Sequence, residues 1–321
     1  MKKEILISLI AVVLIAGCID LGDGGGNRDA DASMTDGLVI NDFFVSENRI
    51  LDDESVIFSL EVENKGGTTA TSVEAILAGI PGWEDADPKN ADSLSPPDLT
   101  IQPPMPGEFK IFEWELAAPS ELGQGVEHSY DVTGRVTYDY KTTAAITIPG
   151  YSKTEYRRMT EEGKGEPNTV QVSNTVGTEG SGGAPVKVDI TPKNVIIFKK
   201  DEGEDKTMSY RLVFRNVGSG VPIGENEDGE QEDGIIDGTV KLSGPAEFGD
   251  CLGSEGGTDV EIQPGDVKLR RKGTAEKLCE IRILDDQWGE ADLNTVSLSF
   301  DLDYQYFIDK TATVTVVGQS D

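Results

Sequence analysis

Over much of the chain, apolar and polar residues alternate one by one. In Phe58-Ser59-Leu60-Glu61-Val62-Glu63 the Phe, Leu and Val fall on one side and Ser and the two Glu on the other, the period of a strand with one buried face. Asn64 and Gly66-Gly67 then supply turn chemistry. Strand-length runs recur around Val39, Val73 to Leu77, Phe109 to Trp114, Val132 to Tyr140 and Ala144 to Ile148, while helical periodicity is almost absent. About seven short strands per unit of roughly 110–130 residues, with Gly and Pro between them, predict an all-β chain of Greek-key sandwiches.

The pattern occurs twice. Phe58, Leu60, Val62, Asn64 and Gly66 align without a gap to Tyr210, Leu212, Phe214, Asn216 and Gly218. Ile101-Gln102-Pro103 matches Ile262-Gln263-Pro264. Val132, Val136, Tyr138 and Tyr140 match Leu298, Leu302, Tyr304 and Tyr306, and Ile146-Thr147-Ile148 matches Val314-Thr315-Val316. The blocks keep their order and differ in spacing, as expected when loops and not strands absorb insertions. This predicts two tandem β-sandwich domains, at 37–150 and 186–318. The stretch 151–185 between them, with the charged run Lys153 to Glu166 and the glycine-rich 179–183, reads as a linker that leaves domain orientation variable, and Thr169 to Val176 as a possible added edge strand.

The first residues have a different pattern. Lys2 and Lys3 precede an apolar run from Ile5 to Ala16, and Gly17-Cys18 follows, the layout of a secretory signal. The run is too short to span a bilayer comfortably, since about 20 apolar residues are needed for a core of about 30 Å. Leu14-Ile15-Ala16-Gly17-Cys18 resembles the lipobox of prokaryotic lipoproteins, which implies lipidation at Cys18 after cleavage and a segment 1–18 that is signal or anchor. The alternatives are an ordinary cleaved signal and an uncleaved short anchor. Residues 19–36, with Gly24-Gly25-Gly26 and several aspartates, are too polar to fold alone and read as a tether reaching about 20–25 Å. The expected location is the outer face of the cytoplasmic membrane.

Composition narrows the partners. With 59 acidic against 28 basic residues the net charge is −31, which repels nucleic acid and anionic lipid, so no nucleic-acid partner is expected. Setting Cys18 aside leaves Cys251 and Cys279, the number for one disulfide in an exported domain; two free thiols or metal ligands are the alternatives. The densest acidic stretch runs from Glu225 to Asp237. Oxygens on a glycine-containing loop suit Ca²⁺, with Asp228, Glu230, Glu232, Asp233 and Asp237 as candidate ligands, although the spacing fails the EF-hand template; the alternative is a solvated acidic hairpin loop. No other cofactor is expected.

No catalytic residues are assigned, and the chain reads as a non-enzyme. His128 is the only histidine and reads as a loop residue; the nucleophile-elbow, Walker and dinucleotide patterns do not occur. Of the three tryptophans, Trp83 follows Ile80-Pro81-Gly82 and is expected to be the exposed one. The tyrosines of Tyr138-Asp139-Tyr140 and Tyr304-Gln305-Tyr306 share a face in each repeat, which predicts a structural duty common to both.

The strand ending in Glu63-Asn64-Lys65-Gly66-Gly67-Thr68-Thr69-Ala70, followed by Val73 to Leu77, resembles the V-x-N-x-G strand pair of CARDB-like, immunoglobulin-like modules on prokaryotic cell surfaces. The resemblance implies a membrane-anchored structural or interaction protein of the adhesion-like or scaffolding kind, whose partner is another surface protein or an envelope polymer. The alternative is a lipid-anchored ligand-binding or accessory subunit of a surface transporter or enzyme, calcium-dependent if the acidic loop binds the ion.

Overall fold

The computed structural model describes residues 30–319 apart from 121, 164, 166, 175–181, 200–204 and 227; the candidate lipid site Cys18, with the rest of residues 1–29, lies outside the described residues. The first repeat contains β1 (Leu38–Val45), β2 (Arg49–Leu51), β3 (Ser55–Asn64), β4 (Ala70–Ala78), β5 (Lys89–Leu94), β6 (Phe109–Ala117) and the long β7 (Glu127–Ser152). Helix α1 (Lys153–Thr160) and β8 (Gln171–Ser173) follow. The second repeat contains β9 (Val186–Thr191), β10 (Ile196–Phe198), β11 (Lys206–Asn216), β12 (Val221–Glu225), β13 (Gln231–Asp233), β14 (Ile235–Ser243), β15 (Ala246–Cys251), β16 (Ser254–Glu255), β17 (Asp259–Lys268), β18 (Thr274–Ile283), helix α2 (Asp285–Trp288) and the long β19 (Leu293–Val317).

The chain is almost entirely β, and each of its two lobes is a sandwich of facing, mainly antiparallel sheets. In the first, the sheet β1-β3-β6 covers β5-β4 and the first half of β7. Gly134 on β7 lies beneath Leu60 and Phe43, where a Cβ would meet Leu60 at 3.0 Å, so the missing side chain lets the layers close. In the second, β16-β15-β18-β11-β9 covers β17-β14 and the first half of β19, with Phe214 edge-on to Phe300 across the layers. One continuous cluster of buried side chains runs through both lobes.

The continuity comes from β7 and β19. They pair antiparallel without a break from Leu293↔Tyr151 to Val317↔Glu127, so each strand traverses both sandwiches. At about 3.3 Å per residue the ribbon is about 80 Å long. The second half of β19 occupies the edge of β7 in lobe one, and the second half of β7 occupies the edge of β19 in lobe two. Val132 to Tyr140 and Ala144 to Ile148, expected as two strands, are therefore one. Nothing interrupts them: Lys141-Thr142-Thr143 contains no turn former, and Thr142 is buried.

This exchange corrects the expectation of variable orientation. Bending the lobes apart would break ladder hydrogen bonds on either side of the crossing. The presumed linker is also partly ordered. Gln171–Ser173 pairs with β7, as an edge strand at Thr169 to Val176 requires. Lys153–Thr160 is a helix whose N-cap Ser152 accepts from Glu155 N at 3.1 Å.

Two other expectations fail. The Ile101/Ile262 match is not structural, since Ile101 is 41 % exposed on a loop and Ile262 is buried in β17. Trp83 is buried, not exposed, between Phe58 and Tyr130 with edge-on contacts at 5.6 and 5.5 Å. Its loop folds back because an indole offers too much apolar area to leave in water.

Candidate functional site

The two repeats meet at one rung of the central ribbon. Tyr138 stands opposite Tyr306, Tyr140 opposite Tyr304, and between them Asp139 opposite Gln305. Since Tyr138 and Tyr140 are the repeat equivalents of Tyr304 and Tyr306, a local two-fold relation passes through the Asp139/Gln305 rung. Strand alternation puts the four tyrosines on one face there and Asp139, Lys141, Asp303 and Gln305 on the other.

The tyrosine face is structural, as the repeated spacing predicts. All four rings are buried and pack against one another at 5.7 to 6.5 Å. Three of their hydroxyls take backbone N–H groups that no strand satisfies. Tyr138 accepts from Leu38 N at 3.1 Å, Tyr140 from Gly67 N and Thr68 N, and Tyr306 from Gly220 N, while the Tyr304 hydroxyl is paired with Thr142 Oγ1 at 2.7 Å. Asn64 and Asn216 complete the arrangement. Each accepts from the glycine two residues on and donates to the carbonyl four residues on: Gly66 and Thr68 for Asn64, Gly218 and Gly220 for Asn216. The N-x-G spacing thus has a steric cause, because a Cβ on Gly66 would lie 2.0 Å from the Tyr140 hydroxyl and one on Gly218 2.6 Å from that of Tyr306. Burial pushes the Tyr140 hydroxyl up to about 12 and raises Tyr138, Tyr304 and Tyr306 as well.

The chain's first described residues close this face. Ser33 N donates to Lys65 O, Gly183 N to Ser33 O, and Ser219 N to Asp36 Oδ1, so residues 33–36 touch both repeats at the waist.

The opposite face is open, and a cavity of about 650 Å³ lies on it. Two rungs form its floor. One runs Asp237–Asp303–Lys141 across β14, β19 and β7, and the next runs Ile223–Gln305–Asp139–Thr71 across β12, β19, β7 and β4. Lys141 Nζ and Asp303 Oδ1 are 2.7 Å apart, and that hydrogen bond raises the lysine's pKa. The walls are the segments that follow the two asparagine turns, Thr68 to Thr71 in one repeat and Ile223 to Glu225 in the other, with Thr71 and Ile223 at equivalent places.

Only one wall carries the acidic hairpin. In the first repeat β4 bulges between Thr71 and Glu74, where Ser72 has φ 52°. The second repeat opens at the same place, between Ile223, opposite Gln305, and Asp237, opposite Asp303, and inserts β12–β13 and its turn. A bulge already leaves a residue out of the ladder, so an insertion there costs little pairing.

The proposed calcium ligands fall on this hairpin without converging. Asp228 and Glu230 are exposed on a turn built by Asn226 Oδ1, which accepts both their N–H groups. Glu232 pairs with Lys268, and Asp233 is exposed on β13. Asp237 alone reaches the cavity, and among the described residues no three Asp, Glu, His or Cys side chains are grouped as a metal requires. Desolvation, then the charges of Glu225, Asp303 and Glu261, raises the Asp237 pKa. Glu225, Gln231 and Asp139, which sequence reasoning did not single out for a site, line the cavity with it. Only their position beside the repeated tyrosines could have drawn attention to them.

The remaining sequence candidates lie elsewhere. Cys251 and Cys279 form a disulfide between paired positions of β15 and β18. His128 is exposed near the start of β7, edge-on to Tyr130 at 4.5 Å.

No family model matches the chain, and no curated protein matches it. Among solved structures, the collagen adhesin (CNA) from S. aureus superposes with a TM-score of 0.13 at 7 % identity, over 90 % of this chain and 95 % of that one, too poorly to carry an argument.

Proposed function

We propose that this chain is a membrane-anchored, non-catalytic surface protein of the adhesion-like or scaffolding kind, in which two fused sandwiches act as a stiff presenting body. The observation that supports this reading is the unbroken β7–β19 ladder. A body with one ribbon through both lobes holds surfaces at its two ends at a fixed separation, which suits presentation and gives little scope for hinge closure around a substrate. A tether entering at the waist leaves both ends free to meet another surface protein or an envelope polymer.

The test compares wild type with Cys18→Ser in the native cell, by fractionation, intact mass and protease accessibility of whole cells. Wild type is expected in the membrane fraction, cleaved before Cys18 with added lipid mass and degraded by external protease, and the variant is expected to be released. A wild-type chain that is protected inside the cell, or that turns over a glycan or peptide substrate, overturns the reading. A second reading, a ligand-binding accessory subunit, is favoured by one observation: the cavity over the crossing.

A further inference from the structure

We infer that this cavity binds an alkylammonium group, as carried by a polyamine or by a partner's lysine side chain. The inference rests on the cavity alone and does not depend on the anchor or on a scaffolding role.

Three observations carry it. The first is placement: the cavity straddles the local two-fold with one wall from each repeat, and the repeats differ there by an inserted hairpin that adds Glu225 and Gln231 to its lining. The tyrosine and asparagine side chains of the buried face recur in both repeats; this wall does not.

The second is unmet hydrogen bonding. Four buried side-chain N or O atoms of the described residues have no partner, and two of them, Thr68 Oγ1 and Asp237 Oδ1, belong to residues lining this cavity, one on each side. A buried carboxylate oxygen without a donor is costly, and a ligand N–H would relieve it.

The third is charge and its spacing. Asp139, Glu225, Asp237 and Asp303 face a single cation, Lys141, which is paired with Asp303. The carboxylates come from four strands, so they do not surround one point as the oxygen ligands of a hard cation must. An ammonium group with three rotatable donors on a flexible stem can reach separated carboxylates in turn, whereas a planar guanidinium is matched to one carboxylate taken bidentately. Ile223 supplies an apolar surface for the methylene stem.

Free polyamines and protein lysines share this chemistry, so the full chain is titrated calorimetrically in about 150 mM salt with spermidine and, separately, with the tripeptide Gly-Lys-Gly, the salt suppressing diffuse attraction to a chain of net charge −31. Saturable one-to-one binding of spermidine only assigns the site to a free polyamine; binding of the tripeptide assigns it to a partner's lysine. Asp237→Asn and Glu225→Gln are each expected to weaken binding about tenfold. The double variant Glu113→Gln/Glu115→Gln, on the exposed face of β6, removes more charge and is expected to leave affinity within about twofold. Asp237→Asn keeps the side chain's shape and removes a desolvated carboxylate, and Glu225 is exposed, so both variants fold, as melting curves would verify. Absence of saturable binding of either probe, or equal weakening by all three variants, overturns the inference.

Discussion

The two repeats use the same clamp and differ in what surrounds it. Each has an asparagine at the end of a core strand, a glycine two residues on and a tyrosine hydroxyl taking the turn's N–H groups. The second alone has a hairpin in place of the bulge and a disulfide on its outer sheet. Every shared feature serves the crossing of β7 and β19. The unshared hairpin changes the lining of the open face, which is why that face, and not the aromatic one, is where a ligand is sought.

The comparison can be broken most severely at the ribbon both repeats share. Thr142→Pro places a residue with no N–H and a fixed φ in the middle of β7, opposite Leu302. It is expected to cause the largest loss of stability and to unfold both lobes in one calorimetric transition. Two separate transitions, with lobe one melting alone, would mean that the lobes are independent despite the ladder.

A disulfide in one repeat only offers a sharper contrast. Replacing Cys251 and Cys279 by serine reopens a loop with a sequence separation of 28, an expected loss of about 3–4 kcal/mol on the chain-entropy model. Because the core is shared, the whole molecule should melt earlier in a denaturant titration. Loss confined to β15 and β16 in hydrogen exchange would show that this edge opens separately.

The smallest effect probes the clamp itself. Tyr140→Phe leaves Thr68 N without its acceptor, Gly67 N keeping Gly183 O at 3.0 Å, and Tyr306→Phe leaves Gly220 N without its own, each an expected loss of about 1–3 kcal/mol. Equal losses would show that the two clamps are equivalent in energy as well as geometry. A clearly larger loss at Tyr306 would instead point to its added bond to Asn216 Oδ1, at 2.9 Å.

Much of this was legible in the residues. The period-two pattern identifies β3 and β11, Asn64 and Asn216 mark their ends, and the Tyr-x-Tyr pairs announce a duty common to both repeats. The length of β7 was not legible: apolar or small residues occupy alternate positions from Tyr130 to Ile148, but that period is the same for one long strand and for two short ones. Trp83 was misjudged because a Pro-Gly turn resembles an exposed loop until the surface it folds onto is known. The cavity was not legible, because Asp139, Lys141, Glu225 and Asp237 are ordinary members of an acidic chain until three strands bring them together.

By itself the sequence determined the all-β class and the duplication, and it made a disulfide the expected state of the last two cysteines and a shared structural duty the expected role of the tyrosine pairs, since each rests on side-chain period, turn stereochemistry or a small count. Only the tertiary structure decided which strand fills the open edge of each sandwich. A strand's hydrogen-bonding edge is the same whether its neighbour comes from its own repeat or the other, so local pattern cannot choose between turning back and running on. The choice is made by two strands separated by more than 140 residues finding a common register, and the waist, its buried tyrosines and its open cavity all follow from it.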